Sequence, residues 1–255
     1  MAALGMVSLA ACSDDSPSTT PGTTDEPNTT GEPNTTGAPT TTAPVSAAQL
    51  DRAEAAVTGF LDALGRGDIA VAASTVGPVS EARAAQAGGL EAMLRASTEG
   101  RGAWAAAPGR TVTTLGVEPG LVVVVLEGDL QVEGTREHRV AAFPARRAES
   151  ADTWFVEPWA YDLTAGAPLQ VVAPAVDEQE WATVPAGQPF PVTVASDTAG
   201  TVALSFAGDE PSDRPVEAGG RVVFPGARAG LVTAVLQAGP TLDATAFRTR
   251  APGEA

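Results

Sequence analysis

Few side chains in this 255-residue sequence have the chemistry for catalysis. The chain has a single His, His138, a single Tyr, Tyr161, and no Lys. Asp129 and His138 fall on two neighbouring segments that a tight turn at Gly134-Thr135 predicts to be hairpin strands. They could therefore lie opposite each other and act as an acid and base pair.

The polar residues of the first hairpin strand also have a simpler interpretation. A row of them alternates with Leu130 and Val132, which is typical of the solvent side of a half-buried strand. Arg136 and Arg139 on the next strand could pair with that row. We favour this interpretation because it requires no catalytic role. The row consists of Glu127, Asp129, Gln131 and Glu133.

Several common chemistries need residues that this sequence lacks. Without Lys, serine-lysine acylases and Walker-type phosphate loops are excluded. One His rules out the two-His zinc motifs, and one Cys rules out a disulfide framework or a Cys-based metal site. The sequence therefore predicts no cofactor and no metal.

The net charge of the chain is −16, and no segment of it is basic. A phosphate backbone would be repelled by such a surface, so we predict no nucleic-acid partner. The acidity is explained most simply by solubility. Abundant Ala, Gly, Pro and Arg without Lys indicates a high-GC bacterial genome, such as that of an actinobacterium.

The amino terminus is apolar up to a single cysteine. Residues 2–11 are small or apolar, and Cys12 is followed at once by Ser-Asp-Asp. The segment resembles a bacterial lipobox, which implies a diacylglycerol on Cys12 and an extracytoplasmic protein anchored to the cell membrane by lipid. The apolar stretch is short and no basic residue precedes it, so we expect the true start codon to lie upstream. The lipobox residues are Leu9, Ala10, Ala11 and Cys12.

Residues 13–45 predict a disordered tether. They are mostly Thr, Pro, Ser, Gly, Asn and acidic residues, and they contain a tandem repeat, 26–31 and 32–37. With almost no apolar side chains to bury, such a segment cannot offset the entropy lost on ordering. It would hold the folded parts away from the membrane.

Residues 46–166 predict an α+β domain. Ser46 and Gln49 form a capping-box pattern before a helix with one apolar face, and shorter helical segments follow up to about residue 98. A run of strands after a run of helices indicates helices packed on an antiparallel sheet. The predicted strands are 111–118, 121–133, 136–143 and 153–161.

This order of elements resembles the nuclear-transport-factor-two-like superfamily, through the segments 60–64, 67–68 and 152–156. The resemblance implies a curved sheet around a cone-shaped cavity, used by relatives as an active site, a ligand pocket or a core. Isomerases and dehydratases of the superfamily would need a carboxylate base facing a Tyr or acid donor. That leaves Asp129, His138 and Tyr161 as catalytic candidates. Four aromatic residues could line the pocket or fill the core: Phe60, Trp104, Trp154 and Trp159.

Residues 167–255 predict an all-β sandwich, because seven short strands separated by turn residues follow one another. Val192 and Val194, and then Val202, Leu204 and Phe206, alternate as inward-facing residues should. The pattern resembles bacterial immunoglobulin-like modules, which serve as spacers or adhesion domains.

Together these features favour a non-catalytic lipoprotein that acts as a binding or scaffold module at the cell envelope. Its partners would be the membrane, through Cys12, and a small apolar ligand or an envelope protein. The alternative is an isomerase- or dehydratase-type enzyme that uses the cavity of the first domain.

Overall fold

The computed structural model describes residues 44–132 and 134–254, which belong to one compact unit. The predicted lipobox with Cys12, the tether up to residue 43, and Glu133 lie outside the described residues. The described chain is a mixed α+β structure with four α-helices and twelve strands. The mixed class predicted from the sequence is therefore confirmed.

The helices come first in the chain. Helix α1 spans Ala47–Gly65, and the capping box of Ser46 and Gln49 is present at its start. Its apolar face is buried from Ala53 to Leu64, as the helical spacing predicts, and Leu50 is partly buried. Three shorter helices and a 3₁₀ helix follow: α2 (Ile69–Thr75), α3 (Pro78–Gln86), α4 (Leu90–Ser97) and Gly102–Ala106.

The helices cover one face of a four-stranded antiparallel sheet, named sheet A. Its strands are β1 (Thr111–Glu118), β2 (Leu121–Val132), β3 (Thr135–Arg147) and β4 (Trp154–Val156), paired in that order. Val122, Val124 and Leu126 of β2 pack in one core with the apolar face of α1. The hairpin joining β2 and β3 has the register that the sequence predicts, with Asp129 opposite His138.

Two further sheets follow and pack face to face. Sheet B has the order β10-β7-β5, and sheet C has the order β6-β12-β11-β8-β9. Val194 of sheet B and Leu204 of sheet C meet in one core. The strands are β5 (Leu169–Ala173), β6 (Trp181–Thr183), β7 (Phe190–Ser196), β8 (Gly200–Phe206), β9 (Ser212–Val216), β10 (Gly220–Ala227), β11 (Leu231–Ala238) and β12 (Thr241–Arg250).

Sheet A also packs against sheet C, so the order of layers is helices, sheet A, sheet C, sheet B. Val123 and Val125 of β2 share a core with Val235 of β11 and Ala246 of β12. Strand β2 is therefore buried on both faces, which explains its continuous apolar run from Leu121 to Leu126. The two predicted domains pack as one unit.

One predicted strand is shorter than expected, and one strand was missed. The predicted strand 153–161 extends only over Trp154–Val156. The amide of Glu157 still donates to the Pro144 carbonyl. Pro158 then ends the ladder, because proline has no amide hydrogen. Strand β9 was not predicted, because it is polar, exposed and contains Pro215. Such residues are typical of an edge strand, and β9 is the edge of sheet C.

A buried carboxylate holds the start of α3. Glu157 is 2% exposed, and its Oε2 accepts a hydrogen bond of 2.8 Å from the Ser80 amide. Gly77 precedes the helix, and a Cβ at that position would overlap the Glu157 carboxylate. The Ser80 hydroxyl in turn accepts from the Trp159 amide at 3.0 Å. These bonds tie the helix to the segment that follows β4.

Candidate functional site

The site with the most chemistry lies at the seam between sheets A and C. Glu127 and Asp129 on β2 point to the same face as Val123 and Val125, because side chains two residues apart share a face of a strand. His138 on β3 is the direct cross-strand partner of Asp129. The hairpin therefore positions two carboxylates and an imidazole together.

His138 bridges the two carboxylates. Its Nδ1 lies 2.9 Å from Asp129 Oδ1, and its Nε2 lies 3.0 Å from Glu127 Oε1. Carboxylates accept hydrogen bonds, so both ring nitrogens donate and the imidazolium form is favoured. Burial opposes the charge on His138, but the two carboxylates outweigh that effect and raise the pKa of the ring. The two carboxylates thus favour the protonated ring of His138.

Sheet C completes this arrangement with an arginine. Arg248 of β12 donates from Nη2 to Glu127 Oε2 at 2.6 Å, and its Nε contacts the other carboxylate oxygen. Burial opposes ionisation of Glu127, yet Arg248 and His138 together hold the pKa of that carboxyl below its usual range. We call this set of residues the ion cluster: Glu127, Asp129, Arg136, His138 and Arg248.

The interpretation of the polar row as a solvent face is wrong for Glu127, whose side chain is only 13% exposed because sheet C covers it. Asp129 is partly exposed, at 29%. Gln131 is exposed, as a solvent face requires. The expected arginine pairing holds for Arg136, whose Nη2 lies 2.6 Å from Asp129 Oδ2.

Arg139 pairs elsewhere. Its guanidinium donates to Glu137 on the same face of β3 at 2.6 Å and to Glu180 at 3.4 Å. Glu180 precedes β6, so this contact is a second link between the hairpin of sheet A and sheet C. Burial raises the pKa of the Glu180 carboxyl.

A cleft of about 690 Å³ opens beside the ion cluster. Trp181 of β6 is partly exposed there, with its ring centroid 5.8 Å from that of His138. The Arg250 guanidinium lies 5.8 Å from the Trp181 ring centre and 3.0 Å from Asp177 Oδ2. We call this the seam cleft, lined by His138, Gln179, Trp181, Arg248, Thr249, Arg250 and Glu254.

Tyr161, the third catalytic candidate, lies apart from the other two. It lines a different cavity of about 250 Å³, here named the edge cavity, together with Arg101 and Asp243. Asp129 and His138 do not line that cavity, and Tyr161 does not line the seam cleft. The structure brings two of the three predicted candidates together and leaves out the third.

The four aromatic residues proposed for a pocket are all buried in the core between the helices and sheet A. Phe60 is 0% exposed, and Trp104, Trp154 and Trp159 are between 4% and 6% exposed. They pack with the apolar side chains of α1 and β2. Their placement is that of core residues, the second of the two roles left open by the sequence.

No protein-family model, curated protein or solved structure matches the chain. The site must therefore be interpreted from its own geometry. In the part of the chain that the structure describes, no three His, Cys, Asp or Glu side chains are arranged to hold a metal ion. Among the described helices, none is long and apolar enough to cross a membrane.

Sequence reasoning missed the residues that sheet C contributes. Arg248 is 121 positions from Glu127 along the chain, and strands β4 and β5 lie between His138 and Trp181. The one available signal was the apolar run of β2, which indicates a strand covered on both faces and hence a partner layer over Glu127. It does not identify which later strand supplies that layer.

Proposed function

We propose that this chain is a non-catalytic, lipid-anchored module of the bacterial cell envelope that binds a saccharide in the seam cleft. The main observation behind this proposal is the seam cleft, where the partly exposed indole of Trp181 lies among polar side chains held by ion pairs. The anchor rests on the lipobox resemblance around Cys12, and it would place the protein outside the cytoplasm.

The lining of the cleft supports a polar ligand with an apolar face. A volume of about 690 Å³ lies within the range of roughly 300 to 1,000 Å³ typical of ligand pockets. The C–H face of a sugar ring can stack on the Trp181 indole, while its hydroxyls hydrogen-bond to charged side chains. Arg248 and Arg250 are each fixed by a carboxylate, so a ligand would meet preorganised donors.

A small apolar ligand, the first expectation from the sequence, has less support. The aromatic side chains that would have lined its pocket pack in the core instead, and Phe60 is fully buried. An envelope protein as partner remains compatible with the seam cleft, but the single aromatic side chain of the lining favours a sugar ring over an apolar protein surface.

The enzyme alternative keeps one supporting observation, the contact of Asp129 with His138. Three catalytic candidates would have to converge in one cavity, and Tyr161 lies in another. Both ring nitrogens of His138 also lie against carboxylates, so neither faces a substrate from which it could take a proton. The geometry is that of a structural ion cluster more than of a general base.

The folds inferred for the two parts are also proposals. Helices on one face of a four-stranded antiparallel sheet support a nuclear-transport-factor-two-like first part, residues 46–166. Two sheets packed face to face support an immunoglobulin-like second part, residues 167–255. In this proposal residues 13–45 form the disordered tether.

Two experiments test the proposal. Cys12→Ser should move the protein from the membrane pellet to the soluble fraction of the producing bacterium, and persistence in the pellet would refute the anchor. Insoluble peptidoglycan should co-sediment the wild-type protein but not Trp181→Ala. Val223→Ala, at an exposed position of sheet B, should sediment like wild type. Equal sedimentation of all three proteins would refute the saccharide site.

A further inference from the structure

The edge cavity combines opposite charges in a small space. Its volume is about 250 Å³, and it lies where the segment after β4 and the strands β3 and β12 meet. Since one water takes about 30 Å³ in the liquid, the cavity has room for roughly eight waters, or for a molecule the size of a small amino acid. Its charged and phenolic lining residues are Arg101, Glu157, Tyr161 and Asp243.

The basic group of the cavity has no carboxylate partner among the described residues. The Arg101 guanidinium stacks 4.9 Å from the Trp159 ring centre, and its Nη2 donates to the Pro158 carbonyl at 3.2 Å. Burial lowers the pKa of Arg101, although Tyr161 acts in the opposite direction. An arginine has five N–H donors, so the fixed guanidinium retains donors for an anion.

The acidic groups of the cavity are also held in place. Asp243 accepts hydrogen bonds from the Leu169 amide at 3.1 Å and from the Ala244 amide at 2.9 Å. Burial raises the pKa of its carboxyl to about 6, so it is mostly ionised at neutral pH. Glu157 is 2% exposed, and its Oε1 has no hydrogen-bond partner among the described residues. Glu157 Oε1 lies against Gly77, so Asp243 is the carboxylate with lone pairs for a cationic donor.

We propose that the edge cavity binds a small zwitterion, a free α-amino acid, with its carboxylate on Arg101 and its ammonium on Asp243. Tyr161 lines the same cavity as both charges, so its phenol can donate to the ligand carboxylate. A plain anion would face the Asp243 carboxylate, and a plain cation would face the guanidinium. Only a ligand with both charges satisfies both ends. This site is distinct from the seam cleft and does not depend on the saccharide proposal.

The test is a titration of the full chain carrying Cys12→Ser with L-alanine, followed by amide chemical shifts in ¹H–¹⁵N spectra. Saturable shifts are expected at residues lining the edge cavity, such as Ala142, Leu169 and Ala244. Lactate, which lacks the ammonium, and isopropylamine, which lacks the carboxylate, should each bind at least tenfold more weakly.

Variants at the charged ends separate a specific site from general packing effects. Arg101→Gln and Asp243→Asn should each weaken L-alanine binding at least tenfold, and Tyr161→Phe should weaken it by a smaller factor. Arg95→Gln, on the exposed face of α4, is the charge control and should leave binding unchanged. If Arg101→Gln fails to fold, Asp243→Asn and Tyr161→Phe provide the test of the site. The absence of saturable shifts, or equal binding of L-alanine, lactate and isopropylamine, would overturn the proposal.

Discussion

His138 Nδ1 lies 2.9 Å from Asp129 Oδ1, directly across the β2–β3 hairpin. The other ring nitrogen lies 3.0 Å from Glu127 Oε1, whose carboxylate also binds Arg248 of sheet C. The contact that looks like an acid and base pair in the sequence is therefore part of a link between two sheets. Its main consequence is for the stability of the seam.

Stability should depend on the protonation of His138. The folded-state pKa of the ring is raised, so its contribution is fully present below the unfolded value, about 6.5, and is lost as the pH rises through the folded pKa. With the side chain 38% exposed and screened by solvent, we expect the loss to be at most about 1 kcal/mol. Urea unfolding between pH 6 and pH 9 measures it.

His138→Gln is the control for that measurement, because glutamine does not titrate. Asp243 also titrates in this range, because its folded pKa of about 6 lies above its unfolded value. Its contribution to the free energy of unfolding is lost as the pH rises from about 4 to 7. This contribution is common to both proteins and cancels in the comparison. Identical pH dependence of wild type and His138→Gln above pH 6.5 would contradict the role of His138.

Arg248→Gln should destabilise the protein, because it leaves the mostly buried Glu127 without its guanidinium. We expect a loss of about 1 to 3 kcal/mol in the free energy of unfolding, measured by urea titration. Arg95→Gln removes a largely exposed ion pair with Glu91 and should cost no more than about 0.5 kcal/mol. The double variant Glu127→Gln/Arg248→Gln should recover part of the loss. If Arg248→Gln cost no more than Arg95→Gln, the ion pair of Glu127 with Arg248 would contribute nothing to stability.

Gly77→Ala should be strongly destabilising, although alanine favours helices. Its Cβ would overlap the Glu157 carboxylate that binds the Ser80 amide, and displacing that buried group should cost about 2 to 3 kcal/mol. Gly59→Ala, at an exposed position of α1 with open space around it, should instead stabilise by about 0.5 to 1 kcal/mol. Thermal unfolding of both variants tests the assignment, and equal effects would disprove it.

The core between sheets A and C should contribute as much to the stability of the protein as the other cores. Val123→Ala removes the packing of two buried methyl groups and should lower the free energy of unfolding by about 2 to 3 kcal/mol. Val223→Ala, where valine is 47% exposed, should change stability by less than about 0.5 kcal/mol. Wild type should also unfold in a single calorimetric transition. Two separate transitions, with only one moved by Val123→Ala, would show that the layers fold independently.

Local sequence signals predicted much of the fold. The capping box of Ser46 placed the start of α1, and the Gly134 turn placed Asp129 opposite His138. Both depend on residues within about ten positions of each other, where propensity and turn geometry act directly.

The layer that covers β2 could not be predicted in the same way. Hydrophobic alternation in β11 and β12 shows that these strands are buried on at least one face, but it does not identify the opposing layer. Arg248 reaches Glu127, and Trp181 reaches His138, only because sheet C packs on sheet A. This long-range arrangement has no local sequence signal. The same holds for Arg101 and Asp243 in the edge cavity, which come from the helical part and from β12.

The most direct test of the proposed function is a fluorescence titration with chitotetraose and with soluble glycan strands of peptidoglycan. Trp104, Trp154 and Trp159 are at most 6% exposed, so a change in accessible tryptophan emission reports on Trp181. The account predicts a saturable change, protection of Trp181 from acrylamide quenching, and loss of both in Trp181→Phe. Unchanged emission and quenching at saturating glycan would contradict it.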